Sequence, residues 1–277
     1  VSETATDAPR QRWAPYNVRV GDLDLRVAHR GEGRPPLLLI TGIGAHLDMW
    51  EPLESRLQGR EVIAFDAPGT GESSRPGLPL RMEGLANVVC GLLDVLGHDE
   101  VDVLGVSFGG AIAQQLAHEF PDRVRRLVLC ATNAGIVSVP PGPLPALFLM
   151  SPARYYHPAI FRFMMPRIVG GVTARDPSVL AAQAGPRLSR PPDPLGYMFQ
   201  LYATTGWTSA HWLHKLLQPT LVLAGDDDRA IPLVNARFLA HRIPDARLYI
   251  VKGGGHLFVL DEPESVIDEI HSFLDGE

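Results

Sequence analysis

Three kinds of side chain in this sequence, far apart along the chain, could together perform acyl transfer. Ser107 lies in Gly105-Val106-Ser107-Phe108-Gly109, a G-x-S-x-G pentapeptide between an apolar run and a helix-like segment. That context is what a nucleophile elbow requires: a tight bend exposes the serine, and glycines allow strand and helix to approach. A serine hydroxyl is a poor nucleophile at neutral pH. It needs a base to take its proton and an acid to orient the base. Both follow in the order serine, acid, histidine. The run Gly225-Asp226-Asp227-Asp228-Arg229-Ala230-Ile231-Pro232 supplies three competing carboxylates, and Lys252-Gly253-Gly254-Gly255-His256 supplies an imidazole. Asp228 is favoured by its spacing to Pro232, with Asp227 next. The triple aspartate lacks the alternating ligands and glycine of a calcium loop, so metal is disfavoured.

Of the ten histidines, only His256 follows the last strand-like run in a glycine-rich loop. His118, His241 and His271 fall in helix patterns. Negative charge developing on an attacked carbonyl needs two backbone N–H donors. Phe108, directly after the nucleophile, supplies one. The turn Thr41-Gly42-Ile43-Gly44-Ala45 supplies the other, with Ile43 the candidate. His46, beside that turn, is a candidate for contact with substrate.

These residues must be held by a larger frame. Residues 23–29 alternate apolar and polar, as a half-buried strand does. Residues 36–40, 61–65, 101–106, 126–131, 220–224 and 247–251 are mostly continuous apolar runs, suited to strands covered on both faces. Helix patterns over 48–57, 81–96, 108–119, 233–242 and 262–274 lie between them, with Pro263 in the first turn of the last. Such alternation implies an α/β fold: a mostly parallel central sheet flanked by helices. Sites in such sheets gather beyond the carboxyl ends of the strands, where Ser107, the aspartates and His256 all fall. Residues 136–217 break the alternation. They carry no β-type run and are rich in Pro, Arg, Met and aromatics. A structureless loop of that length is implausible, so a helical lid, or cap, inserted after the sixth strand is expected. Trp207 and Trp212 within it are substrate-pocket candidates, and its apolar character suggests an apolar substrate. The division is a core of 17–135 and 218–277, a cap of 136–217, and an N-terminal extension of 1–16.

Composition narrows the partners. The chain has 277 residues, a net charge of −6 and no basic block, which disfavours nucleic acid. Arg123, Arg125 and Arg126 read as a solvated rim. Cys90 and Cys130 match no metal or redox spacing and read as reduced core residues. No apolar run is long enough to cross a bilayer, and a soluble intracellular protein is expected.

The stretches GIGAH, EVIAFDAPGTGESS, GVSFGGAIAQQLAHEFP, GWTSAHWLHKLLQPTLVLAGDDDRAIPL and GGHLFV resemble the α/β-hydrolase superfamily and, more narrowly, the intracellular medium-chain-length polyhydroxyalkanoate depolymerases. The resemblance spans residues 17–274. It implies a serine hydrolase, with Ser107 as nucleophile, Asp228 as acid and His256 as base, that cleaves a polyester to 3-hydroxyalkanoic acids through an acyl-enzyme. It implies no metal or organic cofactor, and a storage-granule surface as a partner in the cytoplasm. Three departures bear on side-chain preference: Phe108 where tryptophan is usual, Arg229 for proline, and Gly254 for an acidic residue. Rival readings keep the triad but change the bond: a carboxylesterase or lipase-like enzyme, a carbon–carbon hydrolase, or a perhydrolase. A non-catalytic granule- or lipid-binding protein is a further alternative.

Overall fold

The computed structural model describes residues 13–33 and 35–276. Most of the expected N-terminal extension, residues 1–12, lies outside them. The chain alternates β-strands and α-helices: β1 (Tyr16–Val20), β2 (Leu23–Arg30), β3 (Leu37–Ile40), α1 (Glu51–Glu54), β4 (Val62–Phe65), α2 (Met82–Leu96), β5 (Val101–Val106), α3 (Phe108–Glu119) and β6 (Val124–Cys130). Five helices follow without a strand: α4 (Pro143–Leu149), α5 (Pro158–Val169), α6 (Gly171–Arg175), α7 (Pro177–Ser189) and α8 (Pro194–Thr204). The alternation then resumes with β7 (Thr220–Gly225), α9 (Leu233–Arg242), β8 (Ala246–Val251), α10 (Phe258–Asp261) and α11 (Ile267–Asp275).

The strands form one sheet of order β1-β2-β4-β3-β5-β6-β7-β8. The β1–β2 and β2–β4 pairs are antiparallel, and all others are parallel. The expected mostly parallel sheet is therefore present, with the antiparallel hairpin at one edge. β1 has no counterpart in the sequence reading. Its five residues, Tyr-Asn-Val-Arg-Val, carry too little apolar pattern, and pairing with β2 makes the strand.

Why the central runs are continuously apolar is visible in the packing. Leu38 and Ile40 enter one core with Val103, Leu127, Leu129 and Val222. Leu37 and Leu39 enter a second core with Leu104, Val128, Cys130, Leu221 and Leu223. Alternate side chains point to opposite faces, so a strand sandwiched between helix layers needs apolar residues at every position. β8 departs from this: as the edge strand it leaves Tyr249 and Ile250 partly exposed. On α2, Met82, Leu85, Ala86, Val89, Cys90 and Leu93 form one buried stripe. The helix stops at Gly97, whose φ of 75° suits a left-handed cap.

The last helical segment is broken rather than continuous. α10, a 3₁₀ turn at Pro263–Ser265 and α11 follow one another. Proline has no N–H to extend α10, so it opens the separate 3₁₀ turn instead. The three arginines before and within β6 are not a free rim. Arg125 pairs with buried Asp102 through two bonds of 2.9 and 2.6 Å, and Arg125 and Arg126 both donate to the carbonyl of Leu274 near the end of α11. Cys90 and Cys130 are free thiols, both buried. No helix among the described residues is long and apolar enough to cross a membrane.

Candidate active site

Ser107 connects β5 to α3 with φ 56° and ψ −116°. A positive φ at a residue with a Cβ costs on the order of 1–3 kcal/mol, so surrounding structure must enforce it. The Ser107 N–H donates to the Cys130 carbonyl at 2.9 Å, and the Thr132 hydroxyl donates to the Ser107 carbonyl at 2.7 Å. The two motif glycines permit the bend. A Cβ on Gly105 would stand 2.4 Å from the Gly109 carbonyl oxygen, and one on Gly109 would stand 2.2 Å from that of Ile40.

The three competing aspartates separate by their partners. Asp228 Oδ2 accepts from His256 Nδ1 at 2.9 Å, while Oδ1 accepts the N–H groups of Ala230 and Ile231, both at 2.8 Å. Asp226 instead accepts from the Gly253 N–H, and Asp227 from the Gly171 N–H and Arg175. Those two aspartates tie the turn to its neighbours. Asp228 and His256 are nearly buried. With Nδ1 donating to the carboxylate, Nε2 is the ring nitrogen left to accept a proton.

Ser107 and His256 line one cavity together with Thr41, Gly42, Ile43, Trp50 and Leu260. Its volume is about 70 Å³, and it opens to solvent. Among the described residues no hydrogen bond joins Ser107 Oγ to Nε2 of His256. Catalytic contacts of this kind commonly tighten when substrate binds. Phe108 opens α3, so its N–H has no acceptor within the helix, and Ile43 lies on the cavity wall.

The helical insertion between β6 and β7 holds the Ile43 turn in a way the sequence did not reveal. The Tyr155 hydroxyl donates to the Ile43 carbonyl at 2.8 Å, and the Gly44 N–H donates to Gln200 Oε1 at 2.9 Å. Both polar groups of one peptide are thus held by residues more than a hundred positions away. Gly44 has φ 69°, and a Cβ there would meet the rings of Tyr155 and Tyr197 at 2.9 Å. The insertion also reaches the histidine loop, where the His256 N–H donates to the Val169 carbonyl at 2.7 Å.

Three expected pocket residues sit elsewhere. His46 is fully buried; Nδ1 bonds Asp48 at 3.0 Å and Nε2 bonds the Pro186 carbonyl at 2.7 Å. Pro186 lies in the last turn of α7, where carbonyls lack helical partners, so His46 fastens that helix to the sheet. Burial pushes the Asp48 carboxyl up, but hydrogen bonds from His46 and Arg26 win and hold it well below the usual carboxylate range. Trp207 donates its indole N–H to Gln115 at 2.7 Å, and Trp212 stacks on His118 at 4.2 Å. Both tryptophans belong to the core over α3. The cavity wall from the insertion is made instead by Leu149, Arg154, Tyr155, Met165, Ile168, Val169 and Arg187. Which aromatic faces the cavity depends on how the insertion docks, and no local pattern encodes that.

A different cluster could hold a metal. His29, Glu61 and His98 bring ligand atoms within 4.8 Å of one another. Glu61 already bonds His29 at 2.8 Å and lies 3.3 Å from His98 Nε2. Glu61 precedes β4, so the cluster is at the end of the sheet opposite Ser107.

Comparison with known proteins bears on the family and the fold. Residues 35–263 match the family model for the alpha/beta hydrolase fold. A poly(3-hydroxyalkanoate) depolymerase of Ectopseudomonas oleovorans is 48% identical over 270 residues, covering 95% of this chain and 94% of its own. A 2-hydroxy-6-oxo-2,4-heptadienoate hydrolase of Pseudomonas putida is 29% identical over 94% of this chain and 96% of its own. Among solved structures, the enol-lactonase from Burkholderia xenovorans LB400 superposes with a TM-score of 0.81 at 26% identity, over 94% of this chain and 100% of its own.

Proposed function

Because the chain belongs to the α/β-hydrolase family, we propose that it is a serine-type ester hydrolase that cleaves poly(3-hydroxyalkanoate), or its oligomers, to 3-hydroxyalkanoic acids. The observation that carries this reading is His256, bonded to Asp228, on the same cavity as a serine held at φ 56°. The 48% identity to a named depolymerase supports the substrate class over that of the 29% identical hydrolase.

His256 Nε2 takes the Ser107 proton as Oγ attacks the ester carbonyl. Asp228 keeps the ring in the required tautomer and stabilises its positive form. The N–H groups of Ile43 and Phe108 receive the charge that develops on the carbonyl oxygen. The Ser107–acyl bond forms, the ester C–O bond breaks, and His256 returns its proton to the departing alcohol. Water, deprotonated by the same imidazole, then releases the 3-hydroxyacyl group. The triad needs no cofactor for either half-reaction.

Residues 136–217 act as a cap on a core of 17–135 and 218–277, with residues 1–16 as an extension. The cap's outward side is markedly apolar around α4 and α5, where Leu147 is 65% exposed and Phe163 53%. Apolar exposure of this kind suits adhesion to a hydrophobic granule inside the cell. The reading is tested by release of 3-hydroxy acids from purified medium-chain polyester. Wild-type protein is expected to release them, and Ser107→Ala to lose roughly 10⁴-fold or more of the rate. Cleavage of small esters with no attack on polyester or its oligomers would defeat the substrate assignment.

A further inference from the structure

The cavity wall is apolar apart from a few groups, and two of these are arginines. Arg187 is only 5% exposed and Arg154 only 3%. A guanidinium is almost never buried unless paired, because an uncompensated buried charge is costly. Yet Arg187 makes a single long bond, 3.4 Å from Nη1 to the Gln183 carbonyl of its own helix, and among the described residues no carboxylate lies within ion-pair distance. Asp261 acts on its charge without bonding it, and the oxygens of Asp261 accept from Thr173 and Gln183. Arg154 is better satisfied, donating to the Ser151 carbonyl at 2.9 Å and lying over the rings of Tyr155 and Tyr197. Two positive groups, neither with a bonded carboxylate among the described residues, therefore share an apolar cavity with Ser107 and His256.

We propose that Arg187, assisted by Arg154, forms a subsite for the free carboxylate at the end of a hydroxyacyl chain. The inference rests on the ester-hydrolase reading and refines it. Chemistry fixes which unit carries that carboxylate. The carboxyl-terminal unit is joined through its 3-oxygen to the preceding acyl carbon, so it is the departing alcohol. Ser107 Oγ bonds the preceding acyl carbon, the bond from that carbon to the 3-oxygen breaks, and the oxygen takes the proton held by His256. The unit leaves as a 3-hydroxyalkanoate with its carboxylate unchanged. Hydrolysis of the acyl-enzyme then gives a chain one unit shorter with a new carboxylate end. The subsite thereby selects chain ends and releases monomers one at a time. His46, bonded to the carbonyl of Pro186, positions the helix that carries Arg187.

The test compares a dimer of 3-hydroxyoctanoate as the free acid with the same dimer capped as a primary amide, by kcat/KM for the internal ester. Wild-type protein is expected to favour the acid by roughly tenfold to a hundredfold, the range for a charge-assisted bidentate pair. Arg187→Met should bring the ratio close to one, and Arg187→Lys should keep part of it, since an ammonium is a point charge without the fork. Free 3-hydroxyoctanoate should inhibit cleavage of neutral p-nitrophenyl octanoate competitively in the wild type, and its primary amide should not. This assay needs no variant to fold. Equal kcat/KM for both dimers in the wild type overturns the subsite and leaves ester hydrolysis standing. Failure to cleave either dimer overturns the polyester reading and the subsite with it.

Discussion

At the scale of single residues, Asp228 differs from Asp226 and Asp227 by what it faces, not by its chemistry. All three carboxylates follow β7 within one turn, and only Asp228 meets an imidazole. Its second oxygen is held by two backbone N–H groups, so the carboxylate cannot swing without leaving both donors unbonded. Asp228→Asn keeps an oxygen for those donors but can present an amide N–H to Nδ1, favouring the wrong ring tautomer. We expect kcat on p-nitrophenyl octanoate to fall by roughly 10³- to 10⁴-fold with little change in KM. A loss below about tenfold would mean that Asp228 does not orient the base.

The placement of Ser107 and His256 on one cavity, with Asp228 bonded to the imidazole, was legible in the sequence because its constraints are local. The elbow needs glycines at fixed offsets from Ser107, and steric contacts of 2.4 and 2.2 Å at the missing Cβ positions show why. The order of acid and histidine after successive strands is likewise a linear feature. His46 drew attention because it stands next to the turn proposed to hold the oxyanion, whereas its ring bonds Asp48 and the Pro186 carbonyl. Arg154 and Arg187 carried no signal at all, because arginines in a helical insertion ordinarily face water.

Between elements, the significant contact is the one from the insertion to the turn after β3. Tyr155 and Gln200 hold the two polar groups of the peptide that follows Ile43. This links a segment that contains none of Ser107, Asp228 and His256 to the donor proposed to face the oxyanion. Removing one partner of a buried hydrogen bond leaves the other unsatisfied, at about 1–3 kcal/mol. Tyr155→Phe should therefore lower kcat on p-nitrophenyl octanoate by roughly tenfold while leaving KM close to wild type. A rise in KM with kcat unchanged would assign Tyr155 to uniform substrate binding instead. The core strands and α2, α3 and α9 were readable from periodicity. β1 was not, since its pairing with β2 supplies what its own residues lack. The 258–275 segment broke where Pro263 withholds a backbone donor.

On the scale of the whole molecule, the fold separates two tasks. The parallel strands end on one edge, where the turns after β3, β5, β7 and β8 bring together residues from positions 43 to 256. The insertion of α4 to α8 supplies most of the remaining wall and an apolar outer side. Its existence was legible from the length of the strand-free stretch, but its docking was not. Trp207 and Trp212 pack onto α3 rather than the cavity because Gln115 and His118 offer them partners there. The account as a whole requires that turnover pass through a covalent acyl group on the elbow serine. Acid quench during steady-state cleavage of a 3-hydroxyoctanoate dimer, followed by peptide mapping by mass, tests this directly. A 3-hydroxyoctanoyl adduct on the peptide containing Ser107, absent from Ser107→Ala, is the expected result. Wild-type rates retained by Ser107→Ala, or an adduct confined to another residue, would contradict it.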